Sequence, residues 1–306
     1  MLHGLAGFPS GENGAWTFCE IAEGDFVSFL YGARAHNLYE VSKREALRDA
    51  LSLPPWEPLT FRETGRTYSF PYRLLLRPVR TFTELLVRAE FAYVAENLLL
   101  RGGYSKTHFQ ADQTTLQSVS EMGTVANGAV EPLALPEYTT FTLRFSRTKS
   151  LLKTPEIVRF RETILQAAIR RNLMLRDNLD RLLKELGLNG INADDLEILG
   201  EKALPEGHVD LLLKRRVPLG SALKIPIEVK TNRAQSKDLI QLRDYMKELH
   251  GECPIGVLIA SDFGRSAIEE ASKVQMKLVK YSLSADLKQT PTFQEIFDGL
   301  TLSALE

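Results

Sequence analysis

Two short apolar runs in the second half of the chain are each interrupted by a single acid. Residues 209–213 carry Asp210, and residues 225–229 carry Glu228. Both runs have the length and apolar content of buried strands. A carboxylate inside such a strand is costly to bury unless it is paired or binds a metal. The pattern therefore predicts two adjacent strands whose acids lie close together.

The second run also carries a lysine two residues after its acid. Side chains alternate between the faces of a strand, so Glu228 and Lys230 are expected on one face, and Ile227 and Val229 on the other. Oxygen ligands suit Mg²⁺ or Mn²⁺. We therefore expect a metal site formed by Asp210, Glu228 and the backbone carbonyl of Val229. A metal ion acidifies a water molecule bound to it, and Lys230 is expected to orient that water for attack on a substrate.

The pattern around these strands alternates between helical and extended periods. Residues 157–168 and 175–186 carry apolar stripes at helical spacing, and Gly187 ends the second. After the Glu228 strand, residues 236–249 form an amphipathic helix that carries Gln241 near the edge of its apolar stripe. A strand at 255–260, a helix at 266–274 and a strand at 276–282 follow. This order predicts a mixed sheet flanked by helices.

The first half of the chain reads as many short strands with few helices. Strands are expected at residues 16–21, 26–31 and 37–41, in a segment ending near residue 79, and at 139–145. Helices are expected at 42–51, where Ser42 and Glu45 form a capping box, and at 83–100. Residues 111–137 are poor in large apolar side chains and predict a long loop or connector. This pattern indicates a small mixed β-barrel.

Length and composition limit the classes of protein. The 306 residues suggest two domains, which we place at residues 1–140 and 150–306. Apolar residues make up 44% and charged residues 25%, as in globular proteins, and the formal net charge is −1. The overall charge does not indicate nucleic acid, so any attraction to DNA must come from local patches.

Several common sites and targeting signals are absent from the sequence. Cys19 and Cys253 are far apart and predict neither a disulfide framework nor a zinc site. The sequence contains no phosphate-binding loop of the G-x-x-x-x-G-K-[ST] type, no apolar run long enough to cross a membrane, and no secretory signal at its start. A reducing, cytoplasmic location is expected.

Basic residues are concentrated around the two acid-bearing strands. Such side chains neutralise phosphates and set affinity more than sequence choice. The predicted DNA-backbone contacts are Lys214, Arg215, Arg216, Arg233 and Lys237.

The set Asp210, Glu228 and Lys230 resembles the PD-(D/E)xK nuclease superfamily, although His208 and Val209 replace the proline-aspartate pattern before Asp210. Gln241 resembles the additional glutamine of archaeal-type Holliday-junction resolvases and NucS-like mismatch endonucleases. The resemblance implies a restriction-endonuclease-like αβββαβ core in an α+β protein, and hydrolysis of DNA phosphodiester bonds with Mg²⁺ or Mn²⁺ at this site. Double-strand cleavage would favour a homodimer.

Many members of this superfamily add a further acid from a helix that precedes the strands. Glu162 and Glu185 both lie on the predicted helices, and the sequence does not choose between them.

The strand order in the first half resembles the PUA-like barrels, particularly the EVE and YTH domains. These domains hold a flipped modified base in an aromatic cage. The resemblance implies base-binding roles for Trp16, Trp56 and Tyr31, because aromatic rings stack on extruded bases. The chain would then be a modification-dependent restriction enzyme. The alternatives are a NucS-like nuclease for mismatched or branched DNA, and a non-catalytic nucleic-acid-binding protein.

Overall fold

A computed structural model describes residues 3–31, 33–65, 67–88, 91, 107–131, 133–152, 155–204 and 207–305. The chain divides into two compact units. The first comprises Met1–Thr107 and Gln117–Arg159, and the second comprises His108–Leu116 and Phe160–Glu306. Each unit contains its own sheet together with helices, so the predicted α+β class is confirmed.

The first unit is built on an antiparallel sheet. The elements before residue 107 are β1 (Leu5–Phe8), α1 (Glu12–Glu20), β2 (Phe26–Tyr31), β3 (Arg34–Ala46), β4 (Leu59–Thr60), β5 (Thr67–Tyr68), β6 (Tyr72–Thr81) and β7 (Leu86–Val87). Those after residue 117 are β8 (Thr124–Val125), β9 (Arg144–Ser146) and β10 (Ile157–Arg159). The sheet has the order β1-β6-β3-β2, with β7 on β3 and β8 on β6. Among the described strands β1 and β2 do not pair, and the PUA-like resemblance stays a prediction.

Local structure in the first unit confirms some predicted elements and contradicts others. The strand predicted at 26–31 is confirmed as β2, and that at 37–41 lies within β3. The strand predicted at 16–21 is wrong, because these residues belong mostly to helix α1, which buries Trp16 and Cys19. The helix predicted at 42–51 is also wrong. The Ser42 hydroxyl, expected to cap it, donates instead to the Leu75 carbonyl on the neighbouring strand β6.

Two further expectations concern the residues after β6. The start of the helix predicted at 83–100 is wrong, since the chain is extended in β7, and residues 92–100 lie outside the described part. The loop predicted at 111–137 is wrong in part, because Gln113–Glu121 forms a helix, α2. Asp112 begins this helix by accepting the Thr115 backbone N–H at 2.9 Å. A short polar helix of this kind leaves little apolar periodicity in the sequence.

The second unit contains a six-stranded mixed sheet with helices packed against it. Its strands are β11 (Leu196–Leu204), β12 (Gly207–Arg215), β13 (Lys224–Ala234), β14 (Gly256–Phe263), β15 (Met276–Leu283) and β16 (Leu300–Ala304), in that spatial order. Its further helices are α3 (Glu162–Met174), α4 (Arg176–Glu185), α5 (Ser236–Leu249), α6 (Arg265–Ala271) and α7 (Phe293–Asp298). β13, β14 and β15 run parallel, and the other neighbours pair antiparallel. The predicted αβββαβ order is confirmed.

The central strands of this sheet are apolar on both faces. In β12, Val209, Leu211, Leu212 and Leu213 are all buried, which requires cover on both sides of the sheet. Helices α3 and α5 both pack against β13, so the strand that carries Glu228 lies in the interior of the unit. A rigid, buried pair of strands thus holds the two acids that the sequence singled out.

The segment 108–116 joins the second unit although it precedes most of that unit in sequence. The Gln110 N–H donates to the Gly200 carbonyl at 3.1 Å, and the Gly200 N–H donates to the Gln110 side-chain oxygen at 2.9 Å. Asp112 accepts a hydrogen bond from Lys214 on β12 at 2.6 Å. The sequence pattern gave no indication that this segment is hydrogen-bonded to the second unit.

No helix among the described residues has the length and apolar character needed to cross a bilayer. Cys19 and Cys253 are both buried, and neither forms a disulfide within the described part of the chain.

Candidate active site in the second unit

Asp210 and Glu228 face each other across strands β12 and β13. The antiparallel register places Leu211 opposite Ile227, so the next pair along the ladder is Asp210 and Glu228. Asp210 is 9% exposed and Glu228 only 1%. One carboxylate oxygen of Asp210 accepts the Val229 backbone N–H at 2.9 Å. The structure therefore brings the two acids together and places the Val229 N–H on Asp210, while metal binding by the Val229 carbonyl stays a prediction.

Lys230 lies beside Glu228 and links it to a third acid. The Lys230 Nζ donates to Glu228 Oε1 at 2.8 Å and to Glu162 Oε1 at 3.1 Å. Glu162 is in the first turn of α3, and its Oε2 accepts the Thr231 backbone N–H at 3.4 Å. Lys230 thus bridges the strand acid and the helix acid.

Glu185, the other helix acid, has a different environment. It lies at the end of α4 and accepts the Ala304 backbone N–H at 2.8 Å, on the edge strand β16. Of the two acids that the sequence left open, the structure brings only Glu162 to Lys230.

Burial and the neighbouring acids determine the electrostatics of the site. Burial first, and then the charge of Asp210, raises the pKa of Glu228 to about 8, against the opposing effect of Lys230. Burial alone would lower the pKa of Lys230, but the Glu228 carboxylate raises it above its usual value. Two carboxyl groups, Glu228 and Glu162, therefore share one ammonium group, which stays protonated throughout the neutral range, and Asp210 adds a further negative charge nearby.

One oxygen of Glu228 has no hydrogen-bond partner. Its Oε1 accepts from Lys230, whereas Oε2 is buried and receives no donor from any described residue. A buried carboxylate oxygen in this state is unfavourable unless a proton or a cation is supplied. The atom that lacks a donor is therefore on the residue that was predicted as a metal ligand.

The donor set is compatible with a hard divalent cation. Within the described part of the chain no group of three or more His, Cys, Asp or Glu side chains is arranged to hold a metal. The predicted set needs only two side chains, Asp210 and Glu228, together with the Val229 carbonyl. Oxygen donors, excess negative charge and the unsatisfied Glu228 oxygen all suit Mg²⁺ or Mn²⁺. The residues present therefore fit the group that the sequence implied.

Gln241 is held near the acids through a tyrosine. Its Nε2 donates to the Tyr245 hydroxyl at 2.8 Å, and that hydroxyl donates to the His208 carbonyl at 2.7 Å, two residues before Asp210. Burial raises the pKa of Tyr245 to about 12, and the charges of Glu228 and Asp210 add to this effect. Sequence reasoning placed Tyr245 in the apolar stripe only. Its spacing of one helical turn from Gln241 was the available signal.

The predicted DNA-backbone contacts have different environments. Arg215, Arg216, Arg233 and Lys237 are exposed. Lys214 is not: it is 7% exposed and pairs with Asp112 at 2.6 Å and Glu197 at 3.5 Å. The predicted contact of Lys214 with DNA is wrong, because a buried ammonium bound to two carboxylates has no access to a phosphate.

The three aromatic residues predicted to bind a base, all in the first unit, are also placed differently. Trp16 is 1% exposed within α1, so its ring offers no accessible face for stacking, and this part of the predicted cage is wrong. Tyr31 is 82% exposed. Trp56 packs closely on Gly7, and the Arg73 guanidinium lies 5.3 Å from the centre of its ring. The ring of Trp56 is therefore packed against other residues of the first unit, and the base-binding roles of Trp56 and Tyr31 stay predictions.

Comparison with known proteins gives a limited result. No protein-family model and no curated protein matches the chain. Two solved structures are similar over part of it. One is a repair endonuclease from Pyrococcus abyssi, with 17% identity over 33% of this chain and a TM-score of 0.25. The other is a complex of EndoMS with double-stranded DNA, with 20% identity over 34% of this chain and a TM-score of 0.23. The matched region spans 44% of each of those chains.

Proposed function

We propose that the chain is a divalent-metal-dependent endodeoxyribonuclease whose active site is formed by Asp210, Glu228 and Lys230. The single observation that carries this proposal is the buried Glu228 oxygen without a donor, opposite a second buried acid. A cation would satisfy this oxygen, and the Lys230 ammonium lies next to it, 2.8 Å from the other oxygen of the same carboxylate.

Each residue has a role that follows from its contacts. Asp210, Glu228 and the Val229 carbonyl would hold Mg²⁺ or Mn²⁺. When bound, such an ion acidifies a water molecule and balances the charge of a scissile phosphate. Lys230 fixes the orientation of Glu228 through their 2.8 Å hydrogen bond and supplies positive charge for the anionic transition state.

Two further residues act through these groups. Glu162 shares the Lys230 ammonium and restricts its position, so it is a positioning residue. Gln241 is oriented by Tyr245 and would hydrogen-bond to the attacking water or to a phosphate oxygen.

DNA binding would involve the exposed basic residues of the second unit. Arg215 and Lys237 are exposed, and so are Arg216, which donates to the Leu196 carbonyl, and Arg233, which pairs with Asp262 at 3.5 Å. If these residues neutralise phosphates, binding should weaken as salt is raised. One such site cuts one strand, and we propose that double-strand cleavage requires a homodimer. Sedimentation of the free protein and of its DNA complex tests this part of the proposal.

The metal dependence is tested by nicking of supercoiled plasmid DNA in Mg²⁺, Mn²⁺ or EDTA. We expect nicking with either metal and none in EDTA. Glu162→Gln should lower the nicking rate roughly 10- to 100-fold, because Lys230 loses a charged partner that positions it. The matched control is Glu185→Gln, a helix acid that bonds only to an edge strand among the described residues. Undiminished nicking in EDTA would contradict the proposal.

Target choice is assigned in this proposal to the first unit. Preferential nicking of methylated plasmid over unmethylated plasmid would support a modification-dependent restriction enzyme. Preferential nicking of mismatched or branched duplexes would support a repair nuclease. The burial of Trp16 removes one of the expected cage residues, so the restriction role would depend on Tyr31 and Trp56. DNA binding without nicking under any metal would support a non-catalytic binding protein.

A further inference from the structure

A cleft of about 470 Å³ lies in the first unit, between the ends of strands β3 and β6 and the segment after β8. This volume is within the range of small-molecule sites, roughly 300–1,000 Å³. Its polar lining consists of Asn37, Tyr39, Arg80, Thr81 and Asn127. No Asp or Glu lines the cleft among the described residues.

The two asparagine side chains present donors to this cleft. The Asn37 side-chain oxygen accepts the Phe82 backbone N–H at 2.9 Å, and the Asn127 side-chain oxygen accepts the Ala129 backbone N–H at 3.0 Å. A backbone N–H can only donate, so these contacts assign the oxygen of each amide. The Asn127 NH₂ therefore remains for a ligand, together with the second N–H of the Asn37 NH₂, whose other N–H donates to Tyr39.

Tyr39 contributes a further hydrogen-bond donor to the cleft. The Asn37 NH₂ donates to the Tyr39 hydroxyl at 3.3 Å, so the hydroxyl acts as acceptor in that contact and its own proton can be donated to a ligand. The Thr81 hydroxyl provides another donor at the edge of the cleft. The cleft is therefore rich in donors and poor in side-chain acceptors.

Arg80 supplies a positive charge that no acid neutralises. It forms no side-chain hydrogen bond or ion pair with another described residue, whereas Arg77 on the same strand pairs with Glu40. A guanidinium group without a carboxylate, surrounded by neutral donors, is suited to an oxyanion, and its planar fork matches phosphate.

Asn37 also adopts an unusual backbone conformation. Its φ is +52°, in the left-handed region, and its carbonyl accepts the hydroxyl of Ser28. Non-glycine residues held in this region often occur at ligand-binding positions. The strain and the fixed amide both lie in the lining of one cleft.

We propose that this cleft binds a phosphate-bearing ligand of nucleotide size, independently of the nuclease site. The phosphate contacts Arg80 and the donors of Asn127, Tyr39 and Thr81, and the rest of the nucleotide lies against Pro78 and Val125. The ligand is either a free nucleotide or the phosphorylated end of a DNA strand. The two sources share the phosphate and differ in what is attached to it.

Calorimetric titration of the full chain in EDTA tests the proposal without cleavage. The ligands are adenosine monophosphate, adenosine, and a short oligonucleotide with and without a 5′ phosphate. We expect adenosine monophosphate to bind at least tenfold tighter than adenosine. A stronger preference for the phosphorylated oligonucleotide over its unphosphorylated form would identify a DNA end as the source.

Two variants and a control locate the binding. Arg80→Gln should weaken binding of the phosphate ligands roughly 10- to 100-fold, the range expected for a charged hydrogen bond. Asn127→Asp keeps the oxygen that accepts the Ala129 N–H but replaces the donor by a negative charge, so it should cause a similar loss with an unchanged melting temperature. Arg77→Gln, outside the cleft lining, should bind as the wild type does.

Equal affinity for adenosine and adenosine monophosphate would overturn the proposal. Arg80→Gln binding phosphate ligands as tightly as Arg77→Gln would overturn it as well, and so would the absence of any binding at millimolar concentration. None of these results depends on whether the second unit cuts DNA.

Discussion

The second unit contains two lysine–carboxylate clusters on neighbouring strands, and they differ in how many donors reach the acid closest to the lysine. The Lys214 cluster consists of Lys214, Asp112 and Glu197, and the Lys230 cluster consists of Lys230, Glu228 and Glu162. Each lysine lies between two acids. By composition alone the two clusters would be judged equivalent.

Asp112 in the Lys214 cluster has donors on both oxygens. Lys214 donates to Oδ2, and Thr114 and Thr115 donate to Oδ1. Burial alone would raise the pKa of Asp112, but these hydrogen bonds hold it well below its usual range. These hydrogen bonds attach the segment 108–116 to the sheet. Glu197, the more distant acid of this cluster, has a buried Oε1 without a hydrogen-bond partner among the described residues, and burial raises its pKa.

Glu228 in the Lys230 cluster has a donor on one oxygen only. Burial and Asp210 raise its pKa, in the direction opposite to that of Asp112. The comparison of Asp112 with Glu228 teaches that the number of donors around a buried carboxylate, and not the presence of a lysine, decides the direction in which its pKa shifts.

Removing the Glu228 charge should therefore abolish activity without loosening the fold. We expect Glu228→Gln to lower the rate of plasmid nicking by about a thousandfold, the scale of losing a group that stabilises transition-state charge. The melting temperature of the metal-free protein should be unchanged or higher, because the variant no longer buries an unsatisfied carboxylate. Nicking assays and thermal denaturation measure the two effects.

Glu185→Gln is the matched control for this variant, because Glu185 caps a strand backbone away from Lys230. Its nicking rate should equal that of the wild type. A Glu228→Gln protein that cuts normally, or that unfolds at a much lower temperature, would show that Glu228 is structural.

The reverse result is expected in the Lys214 cluster. Asp112→Asn should lower the free energy of unfolding by about 3 kcal/mol, because it leaves the buried Lys214 with a weaker partner. The nicking rate of the folded protein at 25 °C should be unaffected. Urea denaturation measures this loss of unfolding free energy. The control is Asp244→Asn, which breaks an exposed ion pair with Lys247 and should change the free energy of unfolding by no more than about 0.5 kcal/mol.

The two clusters should also respond differently to pH. The folded-state pKa of Glu228 is raised, so its contribution to stability is fully present below its unfolded pKa near 4.5 and is lost as pH rises towards about 8. We expect the free energy of unfolding of the metal-free wild type to fall by about 4 kcal/mol between pH 5 and 8.5 because of this group. Glu228→Gln should flatten the profile.

Asp112 makes the opposite contribution. Its folded-state pKa is lowered, so its stabilising effect is present above its unfolded pKa and is lost only as pH falls through the lowered value. Asp112→Asn should therefore leave the slope between pH 5 and 8.5 unchanged. If Asp112→Asn changed the slope of unfolding free energy against pH and Glu228→Gln did not, the proposed difference between the two clusters would be wrong.

The sequence predicted the part of this unit that depends on local pattern. Single acids within apolar runs located β12 and β13, and the period of two placed Glu228 and Lys230 together. The αβββαβ order was implied by the resemblance to the nuclease superfamily, and periodicity alone predicted neither β11 nor β16. Periodicity did predict the helices and strands from β12 to β15. These features require only neighbours along the chain, so they could be predicted without tertiary information. The catalytic roles themselves stay predictions.

What the sequence missed depends on contacts between distant segments. Asp112 and Lys214 are 102 residues apart, and nothing local shows that Lys214 points away from solvent. The choice of Glu162 over Glu185 likewise depends on how α3 and α4 pack on the sheet. Trp16 was assigned to a strand because its run is apolar, although burial within α1 explains the same composition.

The smallest expected effect concerns Tyr245. It makes no hydrogen bond to the Lys230 cluster and is linked to the site through Gln241 and the His208 carbonyl. Tyr245→Phe removes the hydroxyl that accepts from Gln241 and donates to the His208 carbonyl. We expect about a fivefold lower nicking rate, because Gln241 loses its anchor, and about 1 kcal/mol lower stability from the lost hydrogen bonds. If Gln241 acts through this hydroxyl, the double variant Gln241→Ala, Tyr245→Phe should nick plasmid DNA no more slowly than the single variant Gln241→Ala. Additive losses in the double variant would mean that the two residues act separately.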